Sequence, residues 1–375
     1  MKKSLRNSLV AVAASSSILL ASCTPPGVED PQKQAQDQAG SGQTVSGALG
    51  KATPAVSPAS ANPAGEVVKL EGRLAKASDI EMAGDVLAVR AGDQLALGTV
   101  DKFRTNSATT LEINANCGDI TATGDTFVLP CPVPIEGGAG GGVIYLIDAK
   151  NPGLKDTRRA DMKFTSAVLT TSGEVVGGSS EEPDVIVFRG TDSSDSKKIT
   201  TSRKADEMVA SPVSGSRDGV VFIERDKTVI QGVDYTNNRA GGALRMGVGV
   251  GSIAAGDDGL FLASDALGHQ LGIYTDDDIL MLHQTIPTDK SPWALAWDTQ
   301  RKLAWISSNE TNKIQAFKIS SGVPELQGTV DTVANVRSMT IDSDGTIYAI
   351  SDSGDGLQII PAKDAAAAVE KPAQP

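Results

Sequence analysis

Asp265, Asn309 and Asp352 stand at the same point of three successive, similar stretches, each just after a short apolar run. Three short oxygen-bearing side chains gathered into one loop cluster could ring a divalent cation or a sugar. A plainer role competes, because such a side chain also accepts N–H bonds from its own loop. Recurrence at equivalent positions favours the plainer role. All three tryptophans, Trp293, Trp297 and Trp305, fall within one of these stretches. Trp293 and Trp297 lie four apart in an alternating segment and so share a face. Trp293 follows Ser291-Pro292 and is the one expected to be exposed, where it could stack on carbohydrate, although packing is the commoner use of such a ring. The candidate ligand-facing set is therefore Asp265, Asn309, Asp352 and Trp293.

No catalytic constellation accompanies them. The chain has 2 histidines, His269 and His283, too few for a histidine metal cluster, and no nucleophile elbow of the Gly-x-Ser-x-Gly type occurs. The runs GGAGGG (137–142) and GVGVGS (247–252) lack the flanking strand, helix and Gly-Lys-Ser/Thr of a phosphate loop, so they read as loop or close-packing glycines. Asp276-Asp277-Asp278 reads as a solvated turn. Asp342-x-Asp344-Gly345 begins like a calcium loop but carries Ser353 where the closing glutamate belongs. No cofactor is expected, a divalent cation is left open, and the balance leans away from an enzyme. The formal charge of −12 excludes nucleic acid, which needs basic patches.

The positioning elements are short strands. From about Glu66 to Pro361 one pattern recurs seven times: a strand, a small acidic turn, then a second apolar strand. The turns fall at 83–85, 123–125, 172–174, 217–219, 257–259, 298–302 and 342–345, and the following strands begin 41, 48, 45, 40, 43 and 44 residues apart. Each of the clearest copies, LFLASDALGHQLGIY (260–274), LAWISSNETNKIQAF (303–317) and IYAISDSGDGLQII (347–360), aligns as strand, polar loop, strand. Four short strands per such period make the blade of a β-propeller. The last copy lacks an outer strand, and an orphan, GEVVKLEGRL (65–74), precedes the first. Pairing the two predicts a seven-bladed all-β propeller closed by its N-terminal strand, which also removes two sheet edges. Blades should start near residues 79, 117, 164, 208, 250, 291 and 335.

SPWALAWD, KLAWISSNETNKIQAFKI and SMTIDSDGTIYAISDSGDGLQII resemble repeats of the NHL, SMP-30 and YncE-like propellers. The N-terminus has a basic start (Lys2, Lys3, Arg6), an apolar segment too short to span a bilayer, and small residues, the layout of a secretory signal. Leu20-Ala21-Ser22-Cys23 resembles the lipobox of bacterial lipoproteins. The whole layout resembles secreted actinobacterial lipoproteins of the mycobacterial LppL type. That resemblance implies a signal at 1–22 and diacylglycerol on Cys23, holding the chain at the extracytoplasmic face of the cell membrane. Loss of the three signal cations would leave a charge of about −15. Residues 23–64, rich in Pro, Ala, Gln and Gly, read as a disordered tether, the propeller spans 65–361, and 362–375 reads as a flexible tail. Cys117 and Cys131, an even pair in an exported chain, lie seven residues either side of Gly124 and read as a disulfide across a hairpin. Two free buried thiols are the alternative. The expected function is a monomeric binding or scaffolding module for an envelope protein or glycan. The SMP-30 resemblance supplies the competing reading, a metal-dependent lactonase or hydrolase.

Overall fold

The computed structural model describes residues 51–134, 141–320 and 322–370. The signal, Cys23 and the tether up to residue 50 lie outside these, as do residues 137–140 of the GGAGGG run. Seven four-stranded antiparallel sheets form the blades of a propeller. Their innermost strands are Asp79–Ala83, Thr121–Thr123, Ser166–Leu169, Glu207–Ser211, Val250–Ala255, Pro292–Asp298 and Val336–Ile341. Hairpin tips follow from turn chemistry: Gly84 and Gly124 take φ of 60° and 58°, which costs a glycine no steric strain.

The seventh sheet closes the ring. Its outer strand is Glu66–Val68, paired antiparallel with Leu357–Ile360, with Val67 opposite Gln358. The strand is shorter than the predicted 65–74 segment, because Gly72–Lys76 turns into a 3-10 helix that buries Leu74. The core lies between neighbouring blades. Aromatics are scarce, yet Phe127, Phe164, Phe188, Phe222, Phe261, Phe317 and Trp305 are all fully buried, so the few large rings are spent on the blade interfaces and aliphatics fill the rest.

Cys117 and Cys131 form the disulfide, with Cα atoms 4.0 Å apart. The alignment needs a slip. The hairpin pairs Thr123 with Thr126 and Thr121 with Val128, a register that alone would set Cys117 opposite residue 132. The Gly118 N–H instead donates to Pro130 O at 2.8 Å, a one-residue shift that brings the two cysteines level.

Both flanking segments depart from expectation. Residues 51–64 lie along blades six and seven. Asn309 Nδ2 donates to Ala55 O (3.2 Å), Asn312 Nδ2 to Pro58 O (2.8 Å) and Ser60 Oγ to Thr332 O. Ser57 and Asn335 exchange backbone-to-side-chain bonds of 2.8 Å each way. Ala52, 2% exposed, joins the cluster containing Trp293 and Ala266. The composition correctly says that this segment has no core of its own. It is ordered because it borrows polar groups of the blades, while Pro54, Pro58 and Pro63 hold it extended at little entropic cost. The expected flexible tail is in part a helix, Ala362–Glu370, packed on the outer strand of blade six (Glu325–Asp331), with Ala365 fully buried. Arg301 bridges to it, donating to Asp298 at 2.7 Å and to Ala362 O at 2.7 Å.

Candidate functional site: the channel mouth

The seven innermost strands line a central cavity of about 300 Å³. Its middle is walled by small residues such as Ala122, Ala167, Ala210 and Ala254, as crowding around a narrow axis demands. The end where these strands begin is different, for it gathers Asp79, Asp119, Glu207, Arg225, Trp293 and Arg337.

Arg225 at the mouth, and Arg90 outside the lining, are paired with the mouth's carboxylates. Arg90 reaches Asp79 at 3.5 Å and Asp119 at 3.0 Å, and Asp79 also accepts the Ile120 N–H at 2.7 Å. Arg225 pairs with Glu207 and donates to Gly251 O at 2.6 Å, while Glu207 accepts from Ser252 Oγ (2.8 Å) and Ile253 N (3.1 Å). The Arg337 guanidinium lies 4.6 Å from the Trp293 ring centroid, and that of Arg225 lies 5.9 Å away. Among the described residues Arg337 makes no side-chain hydrogen bond or ion pair, and its Nη1 is both buried and unpartnered.

Burial sets the protonation here. It pushes Asp79 up to about 6, with Asp119 adding repulsion and Arg90 opposing. Glu81, deeper in the channel, rises to about 7, and so does Glu207 despite the pull of Arg225. Glu81 and Glu207 keep only partial solvent contact, and the solvent they reach is the channel's own. Burial lowers Arg337 from its usual value.

A pH dependence follows for Glu81, which accepts from Met82 N (2.8 Å) and Thr340 Oγ1 (3.0 Å). Its folded value exceeds the unfolded one, so the folded state holds the proton more tightly. Its stabilising contribution is complete below about pH 4.5 and is lost as pH rises to about 7. Glu81→Gln keeps both bonds without the charge. The variant is expected to gain about 2 kcal/mol at pH 8, less than the full shift because the channel is wet, and little at pH 4.5. Urea titrations at the two pH values check this.

The predicted site residues are dispersed. Asp265 is 1% exposed and accepts N–H bonds from Val248 (3.1 Å), Gly249 (2.9 Å) and Gly268 (2.9 Å), so it is spent on its own loops. Asn309 is buried under Ala55 of the N-terminal segment. Asp352 is exposed and close enough for the Arg337 charge to oppose the upward effect of burial on its carboxyl. Trp293 is 3% exposed rather than open, whereas Trp297 is half-buried with Nε1 bonded to Asp257 at 2.8 Å. Of the four, Trp293 lines the cavity and Asp352 flanks it. His269 accepts from Ser291 N at 3.1 Å and the exposed His283 meets Thr275 Oγ1 at 2.8 Å. Among the described residues no three His, Cys, Asp or Glu side chains are grouped to hold a metal ion.

Asp79, Glu207 and Arg337 escaped the sequence reading. Their signal was a charge inside an inner strand where other blades carry Ala, Ser or Thr, visible in SDIEMA, DEMVAS and NVRSMTI.

The fold is that of a seven-bladed β-propeller. No family model and no curated protein sequence matches the chain. Solved structures resemble it at the level of fold. A chain in the crystal structure of a mitotic checkpoint complex has TM-score 0.59 and 11% identity, covering 91% of this chain and 98% of that one. The Cps50 (Swd1) β-propeller domain of Myceliophteria thermophila gives 0.60 and 10%, with 78% and 98% covered. A streptogramin B lyase structure gives 0.57 and 11%, with 77% and 94% covered.

Proposed function

We propose that this chain is a binding module whose ligand enters the channel mouth, carried at the outer face of a cell membrane by lipid on Cys23. The observation behind it is the mouth itself: buried charge, an aromatic face and a guanidinium with no partner, all facing a cavity of ligand size. Binding is favoured over the lactonase reading because Asp265 and Asn309 are already occupied by the protein's own backbone. The envelope address rests on the lipobox resemblance alone.

The N-terminal segment 51–64 crosses blades six and seven, where it bonds Asn309, Asn312 and Asn335. Two experiments test the reading. Trp fluorescence of the full chain should respond saturably to a small polar ligand and lose the response in Trp293→Phe. Cys23→Ser should move the protein from the membrane to the soluble fraction, with the mature N-terminal mass lacking diacylglycerol. Retention of the variant on the membrane would overturn the anchor.

A further inference from the structure

We propose that the channel mouth is an oxyanion site, in which a small polar molecule seats a carboxylate or phosphate on Arg337 above the face of Trp293. This rests on the mouth being the ligand site. The two guanidiniums of the mouth, Arg225 and Arg337, and that of Arg90, which pairs with the mouth's acids from outside the lining, are not equivalent. Arg90 and Arg225 are paired with Asp79, Asp119 and Glu207, whereas Arg337 has only the exposed Asp352 as an uncommitted acid acting on it through space. Asp119 and Glu207 act on it through space without touching it. Arg337 keeps partial solvent contact, but its Nη1 is buried without a partner, which is costly for a cation. An anion on the guanidinium nitrogens that still reach the channel would offset that cost. The Arg337 guanidinium sits over the Trp293 ring at 4.6 Å, and its forked donors suit a planar carboxylate or a phosphate.

The rest of the wall indicates what else the molecule carries. The hydroxyls of Thr121, Ser252, Ser338 and Thr340 already donate to Ala167 O, Glu207, Ile80 O and Glu81. Their free lone pairs can only accept. The complementary ligand therefore bears hydroxyl or amino donors beside its anionic group. A cavity of about 300 Å³ lies at the small end of ligand sites and limits it to monomer size.

The test is a fluorescence titration of the full chain at fixed ionic strength, so that screening is constant. Probes are acetate and inorganic phosphate up to roughly 100 mM, in reach of the weak affinity such small groups can have, then glycerate, glycerol 3-phosphate, glyceramide and glycerol. Expected are a saturable response to the anions that Trp293→Phe abolishes, and at least tenfold weaker binding of glyceramide and glycerol. Arg337→Gln should lose tenfold or more of anion affinity with a melting temperature that does not fall, and Arg337→Lys should retain part. A preference for acetate and glycerate assigns a carboxylate, and one for phosphate and glycerol 3-phosphate assigns a phosphate. Equal anion binding by Arg337→Gln, or neutral probes binding as tightly, overturns the oxyanion assignment and leaves the mouth as a ligand site. No Trp293-dependent response to any probe overturns both.

Discussion

Asp265→Ala is expected to lower stability by about 3 kcal/mol, since one buried and two part-buried N–H groups lose their acceptor at once. Asp265→Asn keeps one acceptor oxygen and should lose about half as much. No lysine or arginine pairs with this carboxylate among the described residues, so the effect should persist in high salt. The comparison also separates two roles. A cation ligand would show its loss as a vanished stoichiometric ion with a modest change in stability. A loop organiser shows a large fall in the urea midpoint and no change in bound metal. The second outcome is expected, checked by equilibrium unfolding beside elemental analysis of protein dialysed without chelator. Loss of one ion per chain in Asp265→Ala, with the midpoint preserved, would restore the metal reading.

Asp265 shows where the sequence was informative and where it stopped. The period, turns and closure were legible because each blade repeats the same local chemistry: Gly or Asp at a hairpin tip, then an apolar strand. Predicted starts at 79, 250 and 291 meet inner strands at Asp79, Val250 and Pro292. The site was less legible because it breaks the repeat. Asp265, Asn309 and Asp352 stood out by recurring, and recurrence is what a loop-building role produces. Asp79, Glu207 and Arg337 each occur once, in strands whose pattern already accounted for their neighbours, and only the ring places them together. The segment 51–64 was misread for a related reason. Its composition describes how it would behave alone, whereas its order comes from Asn309, Asn312 and Asn335, more than two hundred residues away.

Ring closure should resolve into a ladder of truncations. A chain beginning at residue 51 is expected to melt with the full-length protein, since it keeps the docked segment and the closing strand. Beginning at residue 65 removes the contacts of Ala52, Ala55, Ser57, Pro58 and Ser60 and uncovers Asn309, Asn312 and Asn335. Those five bonds are partly solvated and worth roughly 0.5–1 kcal/mol each, so a loss of about 3–4 kcal/mol is expected. Beginning at residue 71 also deletes Glu66–Val68 and the buried side chains of Val68 and Leu70. Each of those side chains contributes about 1.5–3 kcal/mol, and the exposed edge at Leu357–Ile360 invites pairing between molecules. The total of roughly 6–10 kcal/mol is comparable with the stability of an entire domain. This last chain should therefore lose its cooperative transition and elute as aggregate, while the first two stay monomeric on size exclusion. A chain starting at residue 71 that melts cooperatively within a few degrees of the parent would show that the ring does not depend on its N-terminal strand.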